Sequence, residues 1–258
     1  MITEIDTPRI LLALLLGLTA AAANVFGGWL IAHRQWSRLY LKYFISLGAG
    51  FMLATALLEM IPESLRLRGD ASSFLLGGTS AVFVTVLAGY LLVHFFEHTA
   101  APHFHFGEET HREVISHAHA GYAALLGLVI HTFFDGVAIA SGFLISDWLG
   151  GVIFVAIFLH KIPEGFTVAS LMLASGQSRR AAFISSAILG AATLVGVGLM
   201  FLLRGVEPVA LPLSAGVTLY VAASDLIPEV NREPGVAVPT LVFLGVAAML
   251  VLKAIFHV

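Results

Sequence analysis

Two short segments of the chain each place a carboxylate four residues after a histidine. His131 and Asp135 lie in HTFFDGVAIAS, and His160 and Glu164 lie in HKIPEGFTVAS. Residues i and i+4 share one face of a helix, so each segment would present an imidazole and a carboxylate one turn apart. Two such helices facing each other would gather four ligands that suit Zn²⁺, and that could also hold Fe²⁺, Mn²⁺, Cd²⁺ or Ni²⁺. The pattern predicts a divalent metal site, with purely structural pairing as the alternative.

Long apolar segments carry both motifs. Of the 258 residues, 59% are hydrophobic and only 11% are charged, whereas roughly a quarter of a soluble domain is charged. Segments of about 20 apolar residues are long enough to cross a bilayer as helices. We therefore expect an all-α integral membrane protein with eight transmembrane helices. Spans 1 to 8 are predicted at about 10–31, 42–64, 74–96, 120–144, 148–174, 180–203, 208–228 and 236–256.

Charges within these spans are costly and need a reason. A carboxylate at the centre of a bilayer costs about 2.5 kcal/mol or more, so such groups are usually paired or functional. Lys161, next to His160, lies deep in span 5 and needs a counter-charge, for which Asp135 and Glu164 are the candidates. Pro163 lies in the same motif and predicts an interrupted helix lining a cavity, with a packing kink as the alternative.

Two internal repeats relate the spans to one another. LGAGFMLATALLEMIPE (47–63) on span 2 resembles LSAGVTLYVAASDLIPE (213–229) on span 7, and the two His/carboxylate segments resemble each other on spans 4 and 5. Both pairs lie on spans that run in opposite directions. Spans 1–3 would thus match spans 6–8 around a central pair, a 3+2+3 inverted-repeat bundle. Inverted repeats of this kind are typical of transporters with a substrate site at mid-membrane, although chance similarity among apolar segments is the alternative.

The charge distribution gives a topology and excludes some functions. With both termini outside, seven Lys and Arg residues lie in inner segments and five in outer ones, which is a slight positive-inside bias. The net charge is −3 and there is no basic block, so nucleic acid is not an expected partner. The absence of cysteine excludes thiolate metal sites.

Further polar residues extend the hypothesis beyond the four ligands. Met52 on span 2 offers a thioether to the metal, with a role as core filler as the alternative. Four carboxylates near the span ends predict cation-attracting mouths, or else solvated helix ends: Glu59, Glu63, Asp225 and Glu229. The segment 97–119 is rich in histidine and predicts loose metal capture on the cytoplasmic side, or a solvated loop without function. Its histidines are His98, His103, His105, His111, His117 and His119.

These motifs resemble the ZIP (ZRT/IRT-like) family of divalent metal transporters, of prokaryotic type. The family pattern H-[N/S/T]-x-x-[D/E]-G on the fourth helix is met by residues 131–136, and H-x-x-P-E-G on the fifth helix is met by residues 160–165. The x-x-P-E endings of spans 2 and 7 and the His-rich loop are also similar. The resemblance implies eight helices in a 3+2+3 arrangement and a primary metal site at His131, Asp135, His160 and Glu164, with Met52 matching a thioether position.

The resemblance also implies a departure at a second metal site. Family members that bind two ions have an asparagine after the fourth-helix histidine, a carboxylate after the first fifth-helix ligand, and a glutamate on helix six. Here Thr132 and Lys161 occupy the first two places, and residues 178–203 contain no carboxylate. The Lys161 ammonium would lie where a second cation would bind, so the sequence predicts one metal ion.

The expected function is uptake of a divalent metal, most simply zinc, into the cytoplasm by alternating access. The expected location is the cell (inner) membrane, as a multi-pass protein with both termini outside or periplasmic. The expected partners are the metal ion and the lipid bilayer, with a homodimer left open. The alternative function is an intramembrane zinc-dependent hydrolase, against which stands the lack of an H-E-x-x-H motif.

Overall fold

The computed structural model describes residues 7–33, 38–68, 78–100, 118–203, 205–231 and 234–256, and within these ranges every regular element is helical. Six spans are single α-helices: Thr7–His33 (span 1), Gly78–Ala100 (span 3), Ala118–Ile145 (span 4), Asp147–Ala174 (span 5), Arg179–Leu202 (span 6) and Ala237–Phe256 (span 8). Spans 2 and 7 each contain a π-helical turn. Span 2 comprises Arg38–Thr55, the π-turn Ala56–Met60 and Ile61–Arg68, and span 7 comprises Glu207–Tyr220, the π-turn Val221–Leu226 and Ile227–Val230.

The helices have the length and polarity of membrane spans. Seven of them are long and apolar enough to cross a bilayer, and the apolar part of span 3, Ser80–Phe96, is shorter. Large apolar side chains such as Phe243 and Val195 point away from the protein, with 75% and 61% of their surface exposed. Such residues suit contact with lipid tails. The predicted all-α membrane fold with about eight spans is confirmed.

Short capped connections join the central helices. The Ser146 side chain accepts a hydrogen bond of 3.1 Å from the Leu149 amide at the start of span 5. Span 5 ends at a turn in which Gly176 has φ +78°, and Ser178 caps span 6. Spans 4, 5 and 6 therefore run antiparallel in sequence order. We call the two ends of the bundle the Ser146 end and the Gln177 end, after these connections.

Glycine contacts between helices repeat in equivalent pairs. A Cβ added to Gly50 on span 2 would lie 2.0 Å from the carbonyl oxygen of Val242 on span 8. A Cβ added to Gly216, the matching residue on span 7, would lie 1.9 Å from the carbonyl oxygen of Val86 on span 3. Only glycine permits such close backbone approach. Span 2 therefore packs on span 8 as span 7 packs on span 3.

The central pair is flanked in the same equivalent way. Gly27 on span 1 lies against the carbonyl of Ile162 on span 5, and Gly196 on span 6 lies against the carbonyl of Phe133 on span 4, each with a would-be Cβ distance of 2.1 Å. Ile162 and Phe133 each follow the motif histidine by two residues. The packing thus has the two-fold relation that the repeats predict.

The two π-turns are also equivalent. Glu59 lies in the first and Asp225 in the second, and both side chains are largely buried. A π-turn inserts an extra residue into the helical ladder and is frequent at functional sites. These turns were not predicted, because nothing in the apolar sequences of spans 2 and 7 indicates them.

Candidate metal centre

The four residues of the repeated motif come together between spans 4 and 5. His131 and Asp135 lie on span 4, and His160 and Glu164 lie on span 5. At most 2% of the surface of any of them is exposed. One potential ligand atom from each lies within 4.8 Å of all the others. The antiparallel packing of spans 4 and 5 therefore brings the two His/carboxylate pairs together in one buried cluster.

Asp135 occupies the centre of this cluster. Its Oδ2 lies 3.3 Å from His131 Nε2 on the same helix and 3.4 Å from His160 Nε2 on the neighbouring helix. His160 Nε2 also lies 3.7 Å from Glu164 Oε2. The two imidazole rings are 5.5 Å apart between centroids. Nitrogen and oxygen atoms from both helices therefore face a common point.

Several polar atoms of the cluster lack hydrogen-bond partners among the described residues. Both ring nitrogens of His131 and Oδ1 of Asp135 are buried without one. Leaving such an atom unsatisfied costs about 1–3 kcal/mol. In contrast, His160 Nδ1 lies 3.2 Å from the Ala156 carbonyl. When Nδ1 donates to that carbonyl, the Nε2 lone pair faces the cluster and is available to a cation.

Lys161 supplies a positive charge beside the ligands. Its Nζ lies 2.5 Å from Asp135 Oδ2 and 2.6 Å from Glu164 Oε2, and the side chain is fully buried. The sequence left open whether Asp135 or Glu164 would be the counter-charge of Lys161. In the structure the ammonium pairs with both carboxylates. One ammonium therefore bridges a carboxylate from each helix.

Thr132 completes the environment of Glu164. Its hydroxyl donates a hydrogen bond to Glu164 Oε1, while Lys161 Nζ binds Oε2 of the same carboxylate. The sequence identified Thr132 only as a departure from the family pattern and did not predict this bond. Both oxygens of Glu164 are thus engaged by protein groups.

Two expectations about neighbouring residues have different outcomes. Span 5 is helical without interruption from Asp147 to Ala174, with Pro163 inside it. The predicted broken helix is therefore wrong, because the loss of one backbone donor at Pro163 is accommodated within a continuous helix. Met52 is fully buried on span 2, one turn after Gly48, which packs on Leu159. Its role as a metal ligand stays a prediction.

The predicted mouth carboxylates have unequal surroundings. Glu59 pairs with Lys253 at 2.7 Å, and Glu63 pairs with Arg66 at 2.9 Å. Asp225 is 5% exposed, and the Glu229 side chain lies outside the described residues. The loop predicted to capture metal also lies largely outside them. His103, His105, His111 and His117 are not described, nor are the side chains of His98 and His119.

The glycine after each carboxylate lets a flanking helix approach the cluster. A Cβ on Gly165 would lie 1.9 Å from the backbone oxygen of Asn24 on span 1, and one on Gly136 would lie 2.0 Å from that of Thr193 on span 6. We expect Gly165→Ala to force spans 1 and 5 apart, to destabilise the protein by about 1–3 kcal/mol, and to reduce transport by displacing Glu164. Thermal unfolding in detergent together with metal uptake checks both effects.

Gly151 on the same helix provides a matched control. A Cβ there would meet nothing within 4 Å. Gly151→Ala should leave stability unchanged or raise it by up to about 1 kcal/mol through better helix propensity. Equal melting temperatures for Gly165→Ala and Gly151→Ala would contradict the close-approach interpretation.

Comparison with known proteins assigns the family. The sequence model of one family, described as ZIP Zinc transporter, matches residues 107–253. This match includes spans 4 to 7, most of span 8, and all four residues of the cluster. The chain belongs to the ZIP zinc transporter family. ZIP membership confirms the predicted resemblance and places the chain among metal-ion transporters of membranes. The alternative of an intramembrane hydrolase is set aside, because members of this family are transporters and not enzymes.

Individual ZIP proteins are similar over different lengths. The zinc transporter ZIP9 of Micropogonias undulatus is 27% identical over 237 residues, covering 74% of this chain and 76% of ZIP9. The zinc transporter ZIP13 of Pongo abelii is 29% identical over 210 residues, covering 75% of this chain and 60% of ZIP13. The zinc transporter ZIP5 of Homo sapiens is 32% identical over 128 residues, which is 46% of this chain and only 24% of ZIP5. The chain thus spans less than two thirds of the length of ZIP13 and ZIP5.

Proposed function

We propose that this ZIP protein transports Zn²⁺ through the cluster on spans 4 and 5, one ion at a time. The observation that carries the proposal is the meeting of four ligand atoms within 4.8 Å inside a buried helix pair. Two imidazoles and two carboxylates are a ligand set that Zn²⁺ accepts. The relatives described as zinc transporters support zinc as the cargo.

Lys161 would limit the cluster to one ion and weaken its hold on that ion. The ammonium already lies within 2.6 Å of an oxygen of each carboxylate, where a second cation would need to bind. Two carboxylates and one ammonium leave one net negative charge when both histidines are neutral. This cluster would then attract a divalent ion less strongly than two carboxylates without the lysine would. Weaker binding favours release, which a transporter needs as much as capture.

Movement of the helices is required for access from the Ser146 end. Towards that end, the faces of spans 4 and 5 that carry the ligands continue with Ile139, Phe143, Ile153 and Ile157. All four side chains are at most 1% exposed and belong to one apolar core. A hydrated ion cannot cross such a layer without a large desolvation cost. We therefore propose alternating access, in which the central pair moves against the flanking repeats.

The direction of transport and the surroundings are finer proposals. We propose uptake into the cytoplasm across the cell (inner) membrane with both termini outside, supported by the small excess of basic residues in the inner segments. Cd²⁺, Fe²⁺, Mn²⁺ and Ni²⁺ are further cargoes that the nitrogen and oxygen ligands would accept. The roles of Met52, the mouth carboxylates and the loop histidines, and a homodimer, stay predictions.

Zinc uptake into proteoliposomes tests the proposal. We expect the purified protein to raise ⁶⁵Zn²⁺ accumulation well above that of protein-free liposomes, and to do so with saturation as external zinc increases. Competition by unlabelled Cd²⁺, Fe²⁺ and Mn²⁺ in the same assay would rank the cargoes. Accumulation equal to that of protein-free liposomes, from protein that is folded by its melting transition, would refute zinc transport.

A further inference from the structure

A second group of polar side chains lies at the Ser146 end, apart from the metal centre. Glu59 on span 2 binds Lys253 on span 8, with 2.7 Å between Oε1 and Nζ. Trp148 at the start of span 5 donates a hydrogen bond of 3.2 Å from its indole nitrogen to Glu59 Oε2. Each oxygen of one carboxylate is therefore held by a different helix.

The π-turn of span 2 takes part in the same group. Lys253 Nζ also donates to the carbonyl of Leu58 at 2.9 Å, and Leu58 and Glu59 are neighbours within the turn. Glu59 is 7% exposed. A carboxylate this buried and already paired with an ammonium does not present an open charge to an approaching cation. In this conformation Glu59 is therefore an ion-pair partner, and its predicted role in a cation-attracting mouth stays a prediction.

The two bonds of Glu59 connect different parts of the molecule. Spans 2 and 8 are in close backbone contact at Gly50 and again at Gly245, whose Cβ would lie 2.2 Å from the Leu47 carbonyl oxygen. The Lys253–Glu59 pair thus lies inside one tightly packed helix pair. Trp148, in contrast, belongs to span 5, which carries two of the metal ligands. The indole hydrogen bond thus ties the start of span 5 to the pair of spans 2 and 8, in addition to the packing of Gly48 on Leu159.

Trp148 also lies next to the apolar layer that seals the metal centre from this end. Its ring packs against the core that contains Phe143 and Ile153. A movement of span 5 that parts this layer must pull Trp148 away from Glu59, or carry spans 2 and 8 along with it. The hydrogen bond therefore opposes opening at the Ser146 end.

The repeats give the other end different residues at the equivalent positions. Val86 on span 3 matches Val242 on span 8 in the glycine contacts above, and the same sequence offset matches Glu97 to Lys253. The offset between the motif histidines His131 and His160 matches His119 to Trp148. The lysine and tryptophan are thus replaced by glutamate and histidine in the sequence of the other half. The inverted fold therefore does not itself require the group formed by Glu59, Trp148 and Lys253. This group distinguishes the Ser146 end from the Gln177 end.

We propose that Trp148, Glu59 and Lys253 form a latch that keeps the Ser146 end closed and that must open in each transport cycle. Lys253 fixes the Glu59 carboxylate, and Trp148 ties span 5 to it. The inference rests on the proposed transport cycle for its purpose. Its geometry is independent of the metal ligands.

Thiol labelling tests the latch directly, because the chain contains no cysteine. In an Ile153→Cys background, the thiol lies within the sealed layer and should react slowly with a membrane-impermeant maleimide. Trp148→Phe removes the indole donor, and Lys253→Gln removes the ammonium from a side chain that is 40% exposed. Each should raise the labelling rate about tenfold, since a hydrogen bond to a charged group shifts a two-state equilibrium by at least that factor. The double variant should label no faster than the faster single variant, because both changes open the same latch.

Arg66→Gln is the matched control. It removes a cation from an ion pair of 2.9 Å at the same end, but that pair lies within span 2. It should leave the labelling rate of Ile153→Cys unchanged. Rates for Trp148→Phe and Lys253→Gln equal to that of the control, or additive effects in the double variant, would overturn the latch.

A second thiol separates latch opening from unfolding. Val206→Cys lies in the exposed connection between spans 6 and 7 and should label at the same rate in every variant of a folded protein. Faster labelling at both sites would indicate general loosening and would also overturn the proposal. Labelling requires no zinc flux, so a failure of the latch and a failure of zinc transport give different results.

Discussion

Replacing His131 and Glu164 together by alanine is expected to reduce zinc uptake to the level of protein-free liposomes. The change removes one ligand from each central helix and leaves one imidazole and one carboxylate. Loss of groups that merely orient a metal ligand already costs about 10–100-fold in affinity or activity, so we expect at least a hundredfold loss here. ⁶⁵Zn²⁺ uptake by the variant beside the wild type measures it.

A control of the same composition lies outside the cluster. His94 on span 3 is exposed, and Glu207 at the start of span 7 is partly so. The double replacement His94→Ala and Glu207→Ala removes the same residue types and should keep uptake within about twofold of the wild type. The contacts that it removes, of His94 with the Tyr220 ring and of Glu207 with the Gly205 amide, lie outside the buried cluster, and changes at exposed side chains have small effects. If both double variants lost uptake equally, the cluster would have no special claim to be the transport site.

Replacing Lys161 by alanine is expected to destabilise the metal-free protein by about 3–5 kcal/mol. The ammonium neutralises Asp135 and Glu164, and none of these three side chains is more than 1% exposed. Removing one partner of a buried ion pair leaves an uncompensated buried charge, and a loss of about 3–5 kcal/mol is typical of such a change. Thermal unfolding in detergent, with metal removed by chelation, measures the loss.

Zinc should stabilise the Lys161→Ala variant more than it stabilises the wild type. Two unpaired carboxylates and the space left by the lysine side chain would accept divalent ions more tightly, and a ligand that binds the folded state raises its stability. We therefore expect a larger zinc-induced rise in melting temperature for Lys161→Ala. Lys42→Ala, at a partly exposed lysine of span 2, should change stability by less than about 1 kcal/mol. Metal-free Lys161→Ala that melts like the wild type would refute the role of the ammonium.

The convergence of the ligands was predictable because helix geometry is regular. A spacing of four residues fixes a shared face, and the antiparallel direction of spans 4 and 5 followed from their order in the chain. The inverted repeat was visible in residues such as Pro62 and Pro228, whose identity is informative among apolar neighbours. The requirement for a counter-charge at Lys161 followed from the energetic cost of a buried ammonium.

Other features depend on contacts between distant residues and left no local signal. The bond from Thr132 to Glu164 joins two helices, and the pair of Glu59 and Lys253 joins spans 2 and 8. Glu59 lies near a helix end, a position that is compatible with solvent, so its ion pair with Lys253 was not predicted. The π-turn that contains Glu59 is a backbone feature that residue spacing does not encode.

At Pro163 the local sequence led to a wrong expectation. Proline removes one backbone donor and is often associated with a helix kink, which led to the expectation of a broken helix. The observed helix continues from Asp147 to Ala174. The close contacts of Gly27 and Gly165 with neighbouring helices hold span 5 on both sides of the proline. Local propensity is overridden here by packing.

The proposed transport depends on the binding of one divalent ion by His131, Asp135, His160 and Glu164. Anomalous scattering at the zinc edge from crystals of the wild-type protein grown with zinc tests it most directly, because it locates each ion and is not confused by metal bound at the loop histidines. We expect a single anomalous peak between spans 4 and 5, within coordination distance of these side chains, with the Lys161 ammonium beside it. Two adjacent peaks at the cluster would contradict the single-ion claim, and an empty cluster in zinc-saturated crystals would contradict the site itself.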